Sequence, residues 1–240
     1  IRDAYVAYIS RMLELSGIPA ADAAAQAKDV LAFESRLAKV SKSREALSRD
    51  VGLYYNPVSP AEADKLSPNF PFTKLFESQG VAVPAMFSLS VPAYHAEVSK
   101  MLADVPVAQW QGYLRFHLLD GAAPYLSDEF VQANFEFYGK TLGGQKELRE
   151  RGKRVLGTID GQVGEALGQM YVEVAFPAES KAKMQALIKN LSEALKLRIE
   201  NLAWMGADTK KKAPEKWASF DPRVGYPHTW RERTGMTTDS

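Results

Sequence analysis

Between Glu179 and Trp204 the residues Met184, Leu187, Ile188, Leu191, Leu195, Ile199 and Leu202 recur at intervals of three and four, interrupted only by Arg198. That spacing lays an apolar stripe along one side of an α-helix and does not suit the two-residue alternation of a half-buried strand. At 1.5 Å per residue the helix is expected to run roughly 35–40 Å, enough to cross a whole domain. A helix of that length with one apolar face needs other elements to cover it. The stripe therefore commits the chain to a helical assembly.

The rest of the sequence agrees. Ile1–Leu15 carries Tyr5, Tyr8, Ile9, Met12 and Leu13 on one face, and Gly17 and Pro19 end it. Asp22–Val40 reads as a second helix, with Val30, Leu31, Phe33, Leu37 and Val40 as its apolar positions, and Ser43–Leu47 as a further short turn of helix. Gly52–Pro71 holds Pro57, Pro60, Pro68 and Pro71 and reads mostly as loop. Within it, Ser59-Pro60-Ala61-Glu62 has the pattern of a helix start: a capping Ser, Pro in the first position and an acid in the first turn. Phe72–Gln79 is then a short helix, and residues 86–91 are extended.

Further helices are expected at Pro92–Ala103, with Tyr94, Val98, Met101 and Leu102 inward, and at Val107–Asp120, with Trp110, Leu114, Leu118 and Leu119 as apolar positions. Ser127 is placed to cap a helix over Asp128–Tyr138, apolar at Phe130, Val131, Phe135 and Tyr138. Lys146–Phe176 reads as one long helix, in which Gly161, Gly164 and Gly168 suggest a close crossing with a neighbour. The alternative is a frayed or kinked helix, because each glycine costs up to about 1 kcal/mol against Ala. Lys210–Phe220 is the last helix, and Asp221–Ser240 is a polar, turn-rich and loosely held tail. The expected fold is thus mainly α, with at most a short extended segment near residues 86–91.

Charge and composition remove several function classes. Lys and Arg total 30 against 29 Asp and Glu, a formal charge of +1, so nothing electrostatic draws the chain to nucleic acid or an anionic membrane. The basic clusters at Arg149–Arg154 and Lys210–Lys212 read as solvated helix faces. No apolar run approaches the roughly 20 residues that span a bilayer. There is no cysteine, which excludes disulfides, zinc thiolates and thiol nucleophiles. The chain starts at Ile1 inside a helix, as a piece of a longer protein would.

Chemistry is sparse. The three histidines, His95, His117 and His228, do not form the H-E-x-x-H pair that presents two imidazoles to zinc. His95-Ala96-Glu97 resembles part of it, but on a helix Glu97 points about 200° away from His95. His117 and Asp120 share a helix face and read as a surface pair, or a histidine oriented by a carboxylate. Neither a G-x-S-x-G elbow nor a phosphate-cradling glycine loop occurs, so a hydrolase built from scattered Ser, His and Asp has little support. Trp110, Tyr113 and Phe116 read as packing residues. No residue is assigned as catalytic, cofactor-binding or metal-binding.

The stretch Met170–Phe176, followed by Ala178-Glu179-Ser180-Lys181, resembles a signature of the neprilysin-like zinc metallopeptidases. So do Leu202–Met205, Thr209–Ala213 with Glu215-Lys216, and Val224-Gly225-Tyr226-Pro227. Upstream, Tyr55-Asn56-Pro57, Trp110–Arg115 and Phe137–Leu142 with Gly144-Gln145 are similar to the family as well. Gly152 departs from it, standing where many relatives have Trp. Val155 and the lack of cysteine fit a bacterial member.

The resemblance implies a two-lobed enzyme in which a helical cap encloses a substrate chamber above a zinc lobe. Residues 1–220 match the cap region, and 221–240 lead toward the zinc lobe. The family's zinc ligands and catalytic residues have no matching positions here. The parent is then expected to be a zinc metalloendopeptidase acting on peptides and to be exported, and this region is expected to be inactive alone. Its partners are the zinc lobe of the same polypeptide and peptide substrates, and its uncovered apolar face favours self-association. The alternative is a stand-alone helical binding or scaffold module.

Overall fold

A computed structural model describes residues 1–232 and 235, and the mainly α fold is the one observed. It resolves into two compact units, Ile1–Leu148 and Arg149–Ser240.

The first unit is built on α1 (Arg2–Leu15), α2 (Ala20–Val40), α7 (Val107–Ala122) and α8 (Asp128–Asn134). The α1 stripe supplies Tyr8, Ile9, Met12 and Leu13 to one core, with Ala23, Ala27 and Val30 from α2 and Phe116 from α7. The alanines let α1 and α2 approach closely. Phe116 is fully buried and takes the ring edges of Tyr5 and Tyr8, each at 5.9 Å, while Tyr8 stacks on Phe137 at 5.0 Å. Beside this core Phe33 stacks on Tyr113 at 4.2 Å and meets Trp110 edge-on at 4.6 Å, so these aromatics pack as expected.

Leu114 and Leu118 are exposed: Gly112 and Phe116 set the inward face of α7, and residues two further on are rotated about 200° from it. In α6 (Pro92–Asp104) Met101 is buried and Leu102 is exposed. Ser99 takes the inward place, its Oγ accepting from the Asn69 amide at 2.9 Å.

A second, smaller core gathers Ala63, Phe72 and Leu89. The proline-rich segment supplies more than loop here. Pro57–Val58 (β1) pairs antiparallel with Phe87–Ser88 (β2), with Val58 opposite Phe87. Ser59 caps α4 (Pro60–Leu66) in a full capping box: the Ser59 amide donates to Glu62 Oε2 at 2.8 Å, and the Glu62 amide to Ser59 Oγ at 3.3 Å. α3 (Arg44–Arg49) and α5 (Phe72–Ser78) complete this part of the unit.

The helix expected to reach Tyr138 changes register at Asn134 and continues as a π-helix over Phe135–Leu142. A Cβ at Gly139 would lie 2.2 Å from the Phe135 ring, so glycine is required where Phe135 folds over it. The Ser127 side chain makes no capping hydrogen bond.

The second unit holds α9 (Arg151–Ala175), α10 (Ala178–Glu200) and α11 (Ala207–Ala218). The kinked alternative for α9 is the observed one: the helix breaks at Val163 (φ −130°, ψ 30°) between Gly161 and Gly164. No described atom of another element lies within 4 Å of a Cβ built at Gly161, and at Gly164 it would meet only Asp160, so no helix crosses closely there. α10 stops four residues before Trp204, and α11 starts a turn before Lys210. Lys211 and Lys212 are exposed, and Lys153 is exposed beside Glu150, as solvated faces require.

Candidate functional site

Polar side chains collect in the first unit where α1, α2, α7 and the π-helix meet. Glu34 accepts from the Tyr5 hydroxyl at 2.9 Å, and the same oxygen hydrogen-bonds His117 Nε2 at 2.9 Å. Asp120 accepts from Tyr8 Oη at 2.5 Å, Tyr138 Oη at 3.1 Å and Asn134 Nδ2 at 3.4 Å. His117 and Asp120, expected as a pair, thus turn to different partners. The reason is tertiary: packing brings Glu34 of α2 beside His117, and Tyr8 and Asn134 beside Asp120.

Burial and the neighbouring carboxylates drive the Tyr5 and Tyr8 hydroxyls far above the ordinary phenol range, and the same causes push Tyr138 up to about 12. These hydroxyls are hydrogen-bond donors at neutral pH. The carboxylates facing them accept these bonds, so the cluster fastens the helices to one another.

Arg36 plays a similar part between α2 and α6. It is bidentate to Asp104 at 2.9 and 3.0 Å and also bonds Glu97. Arg36 in turn holds the Asp104 carboxyl below the usual range. His95 packs edge-on against Phe72 and Tyr94, and burial pushes its imidazole below the ordinary value.

The second unit is arranged differently. Met184, Leu187, Leu191 and Leu195 of α10 are 41–57% exposed. A cavity of about 430 Å³ runs between α10 and α11, lined by Ile188, Leu191, Leu195, Ile199, Met205 and Trp217. Trp217 Nε1 donates to the Ser192 carbonyl at 2.8 Å, fixing the indole in the cavity wall. At the start of α10, Lys181 is buried and donates through Nζ to the Tyr226 carbonyl at 2.6 Å. Its ammonium also lies 4.0 Å from the centre of the Tyr226 ring. A cation–π contact of that kind stabilises by about 1–2 kcal/mol.

Residues 221–232 are therefore better held than a loose tail. Tyr226 meets Phe176 edge-on at 5.9 Å and stacks on Trp230 at 5.8 Å. The Arg231 amide donates to Glu165 at 2.9 Å. The expectation for residues 233, 234 and 236–240 lies outside the described residues.

The residues present do not fit zinc: among the described residues, no three His, Asp or Glu side chains converge. His117 is committed to Glu34, and His95 is packed among aromatic rings.

These features define a helical protein whose second unit presents apolar surface along α10. The model of Peptidase family M13 matches residues 1–227, and the chain belongs to that family, the neprilysin-like peptidases. It is 31% identical over 228 residues to endothelin-converting enzyme-like 1 of Rattus norvegicus, covering 93% of this chain and 29% of that protein. It is 28% identical over 216 residues to a neutral endopeptidase of Lactobacillus helveticus, covering 90% of this chain and 33% of that protein. The structure of the Mycobacterium tuberculosis zinc metalloprotease Zmp1 in complex with inhibitor superposes with a TM-score of 0.85 at 32% identity, covering 96% of this chain and 35% of that one. The chain thus spans about a third of the length of the relatives it matches.

Proposed function

We propose that this chain forms the helical, substrate-enclosing lobe of a zinc metalloendopeptidase that acts on peptides, and that it is not itself catalytic. The observation that carries the reading is the family match over residues 1–227, in a chain whose Tyr8–Asp120 and Glu34–His117 pairs tie helices together. Residues 1–220 then belong to the lobe, and 221–240 lead toward a zinc lobe in the same polypeptide. That lobe supplies the metal chemistry. This one contributes sterically, narrowing access and excluding water and bulky substrates. The exposed apolar stripe of α10 supports a role in covering or being covered. It also gives residues 1–240 alone a reason to self-associate, checked by light scattering across a concentration series.

The test compares the intact gene product with residues 1–240. The intact protein is expected to cleave an enkephalin-type peptide and to stop when a chelator removes its zinc. Residues 1–240 are expected to show neither cleavage nor stoichiometric metal. One zinc per chain surviving dialysis, with peptide cleavage by residues 1–240, overturns the reading.

A further inference from the structure

We infer that Lys181 is a positioning residue: its buried ammonium pins the Val224–Pro227 turn against the start of α10 and sets the direction in which the chain continues past Pro227. A lysine only 8% exposed, with no carboxylate paired to it among the described residues, is uncommon. Its charge is met instead by one backbone carbonyl at 2.6 Å and the face of one ring at 4.0 Å, both belonging to Tyr226. A charge-assisted bond and a cation–π contact to the same residue fix both its backbone and its side chain. An apolar residue at 181 could pack on the ring but could not hold the carbonyl.

The surroundings are built for the same purpose. Gly225 has φ +72°, and a Cβ there would lie 2.8 Å from the Phe176 ring, so the turn can close onto Phe176 only with glycine. Downstream, a Cβ at Gly168 would lie 3.8 Å from Trp230, and Glu165 takes the Arg231 amide. Attachments at 226, 230 and 231 hold the segment to α9 and α10. The pin joins two motifs that are 45 residues apart in sequence, Ala178–Lys181 and Val224–Pro227. That the chain runs on toward a zinc lobe rests on the proposed function. The pin itself does not.

The test is hydrogen exchange of amides 224–231 in residues 1–240, followed by mass spectrometry. Lys181→Met keeps the length of the stem and removes the ammonium. It is expected to speed exchange in this segment by about 10- to 100-fold, the effect of losing a charged hydrogen bond. Exchange at the wild-type rate overturns the inference, since packing of the stem would then suffice. If Lys181→Met loses the helical signal of α9 and α10, Lys181→Gln replaces it, removing the charge while leaving the Tyr226 ring on Phe176 and Trp230. A several-fold rise supports the pin, and no change overturns it.

In the intact enzyme, Lys181→Met is expected to lower kcat about 10- to 100-fold with KM nearly unchanged, as a misdirected segment misplaces reacting groups. Unchanged kcat beside faster exchange refutes the positioning role. An inactive wild-type intact protein refutes the proposed function and leaves the exchange result standing.

Discussion

Ile1–Leu148 encloses two apolar cores, whereas the described residues of Arg149–Ser240 enclose none. The first unit holds Ile9, Met12, Leu13 and Phe116 at 0% exposure, and a second core closes around Phe72. Among the described residues of the second unit no apolar side chain is buried, and the one buried charged residue is Lys181. Both units are helical and amphipathic, so helix formation does not separate them. What differs is whether each apolar face finds a neighbour. The first unit carries its own stabilisation, whereas the second depends on polar fasteners: Lys181 on Tyr226, Trp217 on Ser192 and Arg231 on Glu165.

The sharpest way to break that contrast is to truncate one side chain in each unit. Phe116→Ala is expected to cost about 3–5 kcal/mol, because a fully enclosed ring leaves a cavity. Leu191→Ala, at a 57% exposed position, is expected to stay within about 0.5 kcal/mol. Urea unfolding of the two variants checks both, and equal losses would show that the second unit has a core after all.

A smaller effect is expected at Tyr8. Tyr8→Phe leaves the buried side of Asp120 short of a donor and should cost about 1–3 kcal/mol in thermal unfolding near neutral pH. The sign of the pH dependence follows from the upward shift. A phenol raised in the fold lends stability that is fully present below its unfolded value of 10.0 and is lost as pH rises beyond it. Wild type should therefore lose stability above pH 10 faster than Tyr8→Phe does, and parallel losses would dismiss the Tyr8–Asp120 contact as a stabilising one. Smallest is Ser59→Ala, expected to cost about 1 kcal/mol through the lost cap on α4. Exchange at residues 60–66 should rise while α1 and α2 stay protected, and a matching rise there would mean that the two cores of the first unit unfold as one.

Much of this was legible from spacing alone. The stripe of α10, the face of α1 and the Ser59–Glu62 helix start each lie within a few residues of chain, where local rules operate. The pairings that bring polar groups together were not. Glu34 and His117 are 83 residues apart, and Tyr8 and Asp120 are 112 apart, so no local pattern announces them. The strand partner of Phe87–Ser88 was hidden because each strand is two residues long, too short for alternation to register. Leu102, Leu114 and Leu118 show the limit from the other side: an apolar residue marks a helix face as inward only if something packs there. The sequence offered no reactive constellation, and the motifs at 178–181 and 224–227 could be matched to a family without revealing that they touch.

The π-helix at Phe135–Leu142 makes one missing methyl group matter at a distance. Phe135 lies over Gly139, and the same stretch sends Phe137 to stack on Tyr8 and Tyr138 to Asp120. An alanine at 139 would evict Phe135 and rotate both neighbours with it, so a net gain of one carbon and two hydrogens near the unit's end would be felt in the very first helix. Tolerance to mutation in this protein is thus mapped by which rings lean on one another, and neighbours along the chain are a poor guide to it.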